Sequence, residues 1–175
     1  ANIAIMTTDT KQKTEACEFT AGGKTCRIGG ICKGSGMIHP NMGTMLAFVT
    51  TDCAIAGGLL QETLREVVKG SFNCVSVDGD TSTNDMCVVL SSGLAGNAEI
   101  QERDEDWQAF REALAMVCTS LARQIAADGE GASRLITCNV CGARDNDTAT
   151  VLAKAVCSSS LLKAAMFGAD ANWGR

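Results

Sequence analysis

Tyrosine is absent from this 175-residue chain, proline occurs once (Pro40), and aromatic residues reach only 4%. A broad aromatic platform for a large planar ligand is therefore not expected. With so few rings, small side chains must do much of the packing and backbones must approach closely, and the 18 glycines fit that requirement. The longest apolar stretches, such as Met45–Val49 and Met86–Leu90, fall far short of the roughly 20 residues a membrane-spanning helix needs. An excess of positive charge is missing too. Fifteen basic against twenty acidic residues leave a net charge of −5, which disfavours nucleic acid and acidic membrane surfaces as partners. No charged-then-apolar leader pattern opens the sequence, and a cytoplasmic protein is expected.

What is present suits one compact domain. Hydrophobic residues make up 46% and charged residues 20%, which excludes global disorder. Ten cysteines, at 17, 26, 32, 53, 74, 87, 118, 138, 141 and 157, are dispersed through apolar stretches. A domain of this length needs no disulfide staples, so they read as mostly buried, reduced small hydrophobes. Only Cys138-Asn-Val-Cys141 has metal-like spacing. Zinc would want a second such pair or two histidines, and His39 is the only histidine. The sequence starts in a strand-like run at Ala1 and stops at Arg175 just after Trp173-Gly174, so a segment of something longer is expected.

Periodicity predicts the elements. Residues 14–20 and 24–32 alternate around Gly22-Gly23 and predict a hairpin. Residues 34–43 read as a loop, followed by a strand from Thr44 through 51. Leu60, Leu64, Val67 and Val68 share one face of a helix over 57–69, which Gly70 can end. Strands are expected at 72–77 and 86–91, flanking the polar loop Asp78–Asp85. Trp107, Phe110, Leu114, Val117, Leu121 and Ile125 predict a long helix from about Asp106 to Ala127, with Asp104 or Glu105 at its positive end. A strand over 133–140 follows, then a helix capped by Asp145 or Asp147, then a short helix from Ser159 or Ser160 to Gly168. This order predicts an α+β fold with helices layered on mixed β-sheets.

Several motifs fail on inspection. Gly23-Lys24-Thr25 imitates a phosphate-binding loop, but position 18 is Glu where glycine is required. Asp78-Gly-Asp80-Thr-Ser82-Thr-Asn84-Asp85 imitates a calcium loop, but Thr83 and Val89 replace the turn glycine and the bidentate Glu. Asp78, Asp80 and Asp85 are read as shaping a tight loop, with no catalytic role. A triad using His39 is arithmetically possible, but one histidine beside proline in a glycine-rich loop reads as structural or merely exposed.

The stretch Lys33 to Asp52 is harder to dismiss. A lone cation and a loop precede a Gly43–Thr44 bond at a strand start. A threonine hydroxyl is a poor nucleophile without an adjacent base. If the Gly43–Thr44 bond breaks, Thr44 gains a free α-amine beside its own hydroxyl, and such an amine has a pKa of roughly 7.7–8.0. Gly43, lacking a Cβ, admits close attack on its carbonyl. A plain turn-to-strand junction is the competing reading.

Five separated motifs then align in order. They are Met6-Thr-Thr-Asp9, Lys33–Asp52, Ser76–Asp85, Gly129-Glu-Gly-Ala132, and Gly142-Ala-Arg-Asp-Asn-Asp-Thr148 running on to Gly168–Arg175. With these the chain resembles, over essentially its whole length, the glutamate N-acetyltransferase family of arginine biosynthesis, also called ornithine acetyltransferase. The resemblance implies a sandwich like that of N-terminal-nucleophile acetyltransferases and aminopeptidases. It implies self-cleavage between Gly43 and Thr44, with 1–43 as the end of an α-subunit and 44–175 as the first part of a β-subunit. It implies acetyl transfer from N-acetylornithine to glutamate through acetyl-Thr44, with Thr7, Lys33, Thr44 and Glu130 at substrate-binding positions. Many family members have Ala where this chain has Gly43. The family's oxyanion Thr–Gly pair would precede Ala1, and its last substrate contacts would follow Arg175.

The implied chemistry is coherent. Acetylornithine carries a carboxylate and an ammonium, which Lys33 and Glu130 would meet; taken alone, Lys33 reads as a solvated lysine and Glu130 as an exposed helix-terminal acid. No metal or organic cofactor is implied, although acetyl-CoA is a possible second donor. The implied partners are the remaining parts of both subunits, in a heterotetramer of two α and two β. The alternatives are an amidase or aminopeptidase with the same threonine nucleophile, an inactive structural fragment, or a Cys138/Cys141 metal module.

Overall fold

A computed structural model describes residues 1–39 and 45–173. Four strands form one mixed sheet in the order β1 (Lys13–Ala21), β2 (Lys24–Lys33), β3 (Leu46–Thr51), β4 (Met86–Ser91). β1–β2 and β2–β3 pair antiparallel and β3–β4 parallel. The hairpin forms as the alternation predicts: Gly22 and Gly23, at φ +55° and +66°, make the two-residue turn whose twist matches the strands, and Ala21 pairs with Lys24. The parallel β3–β4 pair needs a crossover, and α2 (Gly57–Lys69) supplies it.

The long helix α3 (Glu105–Ala127) lies across one face of the sheet. Its N-terminus is capped by Asp104, whose side chain accepts from the Trp107 amide at 2.8 Å. Phe110, Leu114, Val117, Cys118, Leu121 and Ile125 are buried against Cys26, Ile28, Cys32, Ala47 and Val49. Close approach is what the scarcity of rings requires. A Cβ on Gly30 would lie only 3.0 Å from both Leu121 Cδ1 and Val49 Cγ2, so the glycine lets helix and sheet come together. The Trp107 indole N–H donates to Thr63 Oγ1 at 2.9 Å and ties α3 to α2. Thr14, Ala16, Glu18, Arg27 and Thr50 stand exposed on the opposite face. The result is α+β, with helices on a mixed sheet, as expected.

Helices α4 (Asn146–Cys157) and α5 (Ser160–Phe167) follow, capped by Asp145 and Ser159. Three expectations fail. The chain start forms a short helix, α1 (Asn2–Ile5), rather than a strand. Residues 72–77 form a 3₁₀ turn, Phe72–Cys74, because the buried Phe72 ring anchors the segment and Val75 N–H closes back on Phe72 C=O. Residues 133–140 have no ladder partner among the described residues and form no strand, with a bend at Arg134.

All ten cysteines are free thiols. Cys26, Cys32, Cys53 and Cys118 are buried, while Cys74 and Cys141 are exposed. Burial pushes the Cys32 and Cys53 thiols up to about 12, which makes them inert packing residues at neutral pH. Among the described residues no three His, Cys, Asp or Glu side chains group to hold a metal. None of the described helices is by itself long and apolar enough to cross a membrane; α4 and α5 reach that length only as a pair bent by 55°.

Candidate active site

Strand directions bring the sequence motifs to one end of the sheet. β2 ends there at Lys33, β3 begins there at Leu46, its partner in the register, and β4 begins there at Met86, paired with Leu46. β1 also starts there, with Lys13 opposite Cys32. Thr7 lies in the turn preceding β1, and the Lys33 ammonium donates to Thr7 Oγ1 at 3.3 Å. Two of the predicted substrate-binding residues are therefore in direct contact.

Glu130 reaches the same place from the end of α3. Its amide donates to the Ser35 carbonyl at 2.8 Å, two residues beyond Lys33. Its carboxylate lies across the bare face of Gly36, where an added Cβ would sit 2.6 Å from Oε1. Glu130 also borders a cleft of about 350 Å³ whose lining includes Ser76, Val77, Gly129, Lys163 and Phe167. Thr7 and Glu130 are exposed and Lys33 is half-buried, so all three can meet a ligand from solvent. Gly43 and Thr44 lie outside the described residues.

Beneath this surface is a buried ion cluster that sequence reasoning missed. The Lys13 ammonium is 2.6 Å from both Asp9 Oδ1 and Asp128 Oδ2, and its side chain is only 1% exposed. Asp9 also accepts from the amides of Gly34, at 2.7 Å, and Thr7, at 3.2 Å. Asp128 accepts from the Thr10 amide at 3.0 Å and from the Thr10 hydroxyl. One cation thus joins the Thr7 turn, the chain just after Lys33, and the helix end two residues before Glu130. Burial pushes the Asp128 carboxyl up, but the Lys13 and Thr10 hydrogen bonds outweigh it and hold the pKa down at about 2. Asp9 is likewise lowered: burial opposes, and the Gly34 amide and Lys13 prevail. One signal in the sequence marks this cluster. Lys13 is in phase with Cys17, Phe19 and Ala21, the inward-facing residues of β1.

The polar loop 76–85 also borders the site. Asp78 Oδ2 and Oδ1 accept from the Met37 and Ile38 amides at 2.5 and 3.0 Å. Asp85 Oδ1 accepts from the Met45 amide. Burial pushes the Asp85 carboxyl up, opposed by the Met45 amide and the Lys33 charge, and its Oδ2 is buried with no hydrogen-bond partner among the described residues. His39 Nδ1 is 2.9 Å from Ser76 Oγ. Burial and the nearby Lys154 and Lys163 charges hold the imidazole below its ordinary pKa, against the pull of Asp78.

An α+β layer thus gathers a cation, Lys33, and an anion, Glu130, at one sheet end. Comparison with known proteins is more specific. The ArgJ family model matches residues 1–175, and the chain belongs to that family. It is 56% identical over 172 residues to the arginine biosynthesis bifunctional protein ArgJ of Lactococcus lactis, covering 98% of this chain and 43% of that protein. Its likeness to the protein of the same name from Bacillus subtilis is 54% over 172 residues, covering 98% and 42%. The crystal structure of the arginine biosynthesis bifunctional protein ArgJ from Bacillus halodurans superposes with a TM-score of 0.70 at 50% identity, covering 73% of this chain and 60% of that one. The chain thus spans under half the length of these curated relatives.

Proposed function

We propose that this chain is part of a cytoplasmic acetyltransferase of arginine biosynthesis that moves an acetyl group from N-acetylornithine to glutamate. The observation that carries the reading is the meeting of Lys33, Thr7 and Glu130 at the sheet end where β3 begins, one residue past Met45. The precursor cuts itself between Gly43 and Thr44. Thr44 Oγ then attacks the acetyl carbonyl while the Thr44 α-amine takes its proton. The amide C–N bond breaks, and the proton leaves on the ornithine amine. The glutamate amine attacks the acetyl-Thr44 ester, and the hydroxyl is restored. Lys33 meets the substrate carboxylate and Glu130 its ammonium, while Thr7 steadies Lys33. Acetyl-CoA is the alternative donor in this scheme, which uses no resident cofactor.

Residues 1–43 belong to the upstream subunit and 44–175 to the downstream one, in an assembly of two copies of each. The relatives' names, which place them in arginine biosynthesis, support this reading. The test is a transfer assay on the full-length protein with acetylornithine, with and without glutamate. Acetylglutamate formation in proportion to glutamate supports transfer. Release of free acetate unaffected by glutamate identifies an amidase.

A further inference from the structure

The cleft of about 350 Å³ beside Glu130 is lined by a second charged group, Lys163 of α5. Its ammonium donates to the Val77 carbonyl. The Val77 side chain in turn lies on the bare face of Gly129, where an added Cβ would sit 2.9 Å from Val77 Cγ1. Val77 thus touches both Lys163 and the residue before Glu130, and so anchors the cation close to the anion. The two do not close on each other: among the described residues neither Lys163 nor Glu130 forms an ion pair. One hydrogen bond to Val77 leaves two of the three ammonium protons for a ligand. Lys163 is half-buried; Arg134, the other cation lining the cleft, is exposed.

The two substrates of the proposed reaction differ at one end. Acetylornithine and glutamate share an α-carboxylate. The ornithine side chain ends in an ammonium, whereas that of glutamate ends in a second carboxylate. Glu130 attracts the first and repels the second. We infer that Lys163 is a specificity-determining residue for the acceptor, meeting the side-chain carboxylate of glutamate in the cleft beside Glu130. This deepens the reading proposed above and rests on it. Lys33 takes the α-carboxylate of either substrate, the ornithine side chain ends on Glu130, and the glutamate side chain ends on Lys163. Val77 and Phe167 supply apolar lining for the methylenes of both. A cation and an anion held apart serve two ligands of opposite terminal charge, and a closed Lys163–Glu130 pair would serve neither.

The experiment measures two partial exchanges on the full-length protein, with Tm recorded for each variant. Labelled ornithine enters acetylornithine in one, and labelled glutamate enters acetylglutamate in the other. In Lys163→Gln the ratio of glutamate-exchange to ornithine-exchange kcat/KM should fall at least about tenfold, through a raised KM for glutamate. Lys163→Arg, which keeps the charge, should hold the ratio within about threefold of wild type. An unchanged ratio in Lys163→Gln overturns the assignment. So does an equal fall of both exchanges, since a lysine that merely anchors Val77 would disturb both substrates alike. If Lys163→Gln fails to fold, Glu130→Gln decides. With the repelling neighbour gone, its KM for glutamate should fall at least about threefold, and an unchanged KM places the glutamate side chain elsewhere. A wild type that catalyses neither exchange defeats the proposed function, and the Lys163 role with it. A wild type that catalyses both while Lys163→Gln keeps the ratio defeats the Lys163 role only.

Discussion

Single side chains at the sheet end do two separable jobs. Under the proposed function Lys33 and Glu130 face the ligand, and truncating one partner of a desolvated charge pair typically costs about 2–5 kcal/mol, roughly thirty- to several-thousand-fold in kcat/KM. Lys33→Ala and Glu130→Ala in the full-length enzyme should each show such a loss, and a change within about twofold removes that residue from the substrate site. Lys13, Asp9 and Asp128 instead hold the segments that carry those groups. Breaking a buried pair typically costs about 3–5 kcal/mol, because the partner left behind keeps its uncompensated charge. Asp128→Asn should therefore lower stability by an amount of that order in urea unfolding at pH 7. The Asp128 pKa is depressed from 3.8 to about 2, so its contribution is present above the ordinary value and is lost as pH falls through the folded one. In wild type, stability should decline across that window, and in Asp128→Asn the decline should be shallower. Identical slopes would show that Asp128 is not the group responsible.

Elements show how far periodicity carries. The hairpin, α2, α3 and the caps at Asp104, Asp145 and Ser159 were legible because each depends on local pattern and local hydrogen bonds. Asp104→Ala should cost about 0.5–2 kcal/mol, read as a lowered midpoint in urea; no change would mean that packing of α3 on the sheet makes the cap redundant. Residues 72–77 and 133–140 were not legible, because a strand exists only with a partner and an alternating segment does not announce one. The site was half legible. Thr7, Lys33 and Glu130 were found through motif resemblance, since each alone looks like an ordinary surface residue. The Asp9–Lys13–Asp128 cluster joins residues 4 and 115 positions apart, and apart from the inward phase of Lys13 in β1 no local pattern links them. Asp78 and Asp85 read as loop formers because their amide partners lie some 40 residues away in sequence.

At the scale of the molecule, the sheet is the device that unites motifs scattered over the chain. Antiparallel β2–β3 and parallel β3–β4 pairing bring Lys33, Met45 and Asp85 to one end, and α3 returns Glu130 to it. The relatives are more than twice as long, so a complete acetyl-transfer site is expected to need their full length. Loss of a single oxyanion donor typically costs a factor of about 10²–10³ in kcat. The 175-residue chain assayed beside the full-length protein should be slower by at least that factor, and comparable turnover would show that the segment holds a complete site. The central claim is that Thr44 becomes a free N-terminus, and N-terminal sequencing of the purified full-length protein tests it directly. A second sequence beginning Thr44-Met45-Leu46 is expected in amounts equal to the first, and absent from Thr44→Ala. A single N-terminus in the folded wild-type protein would contradict it.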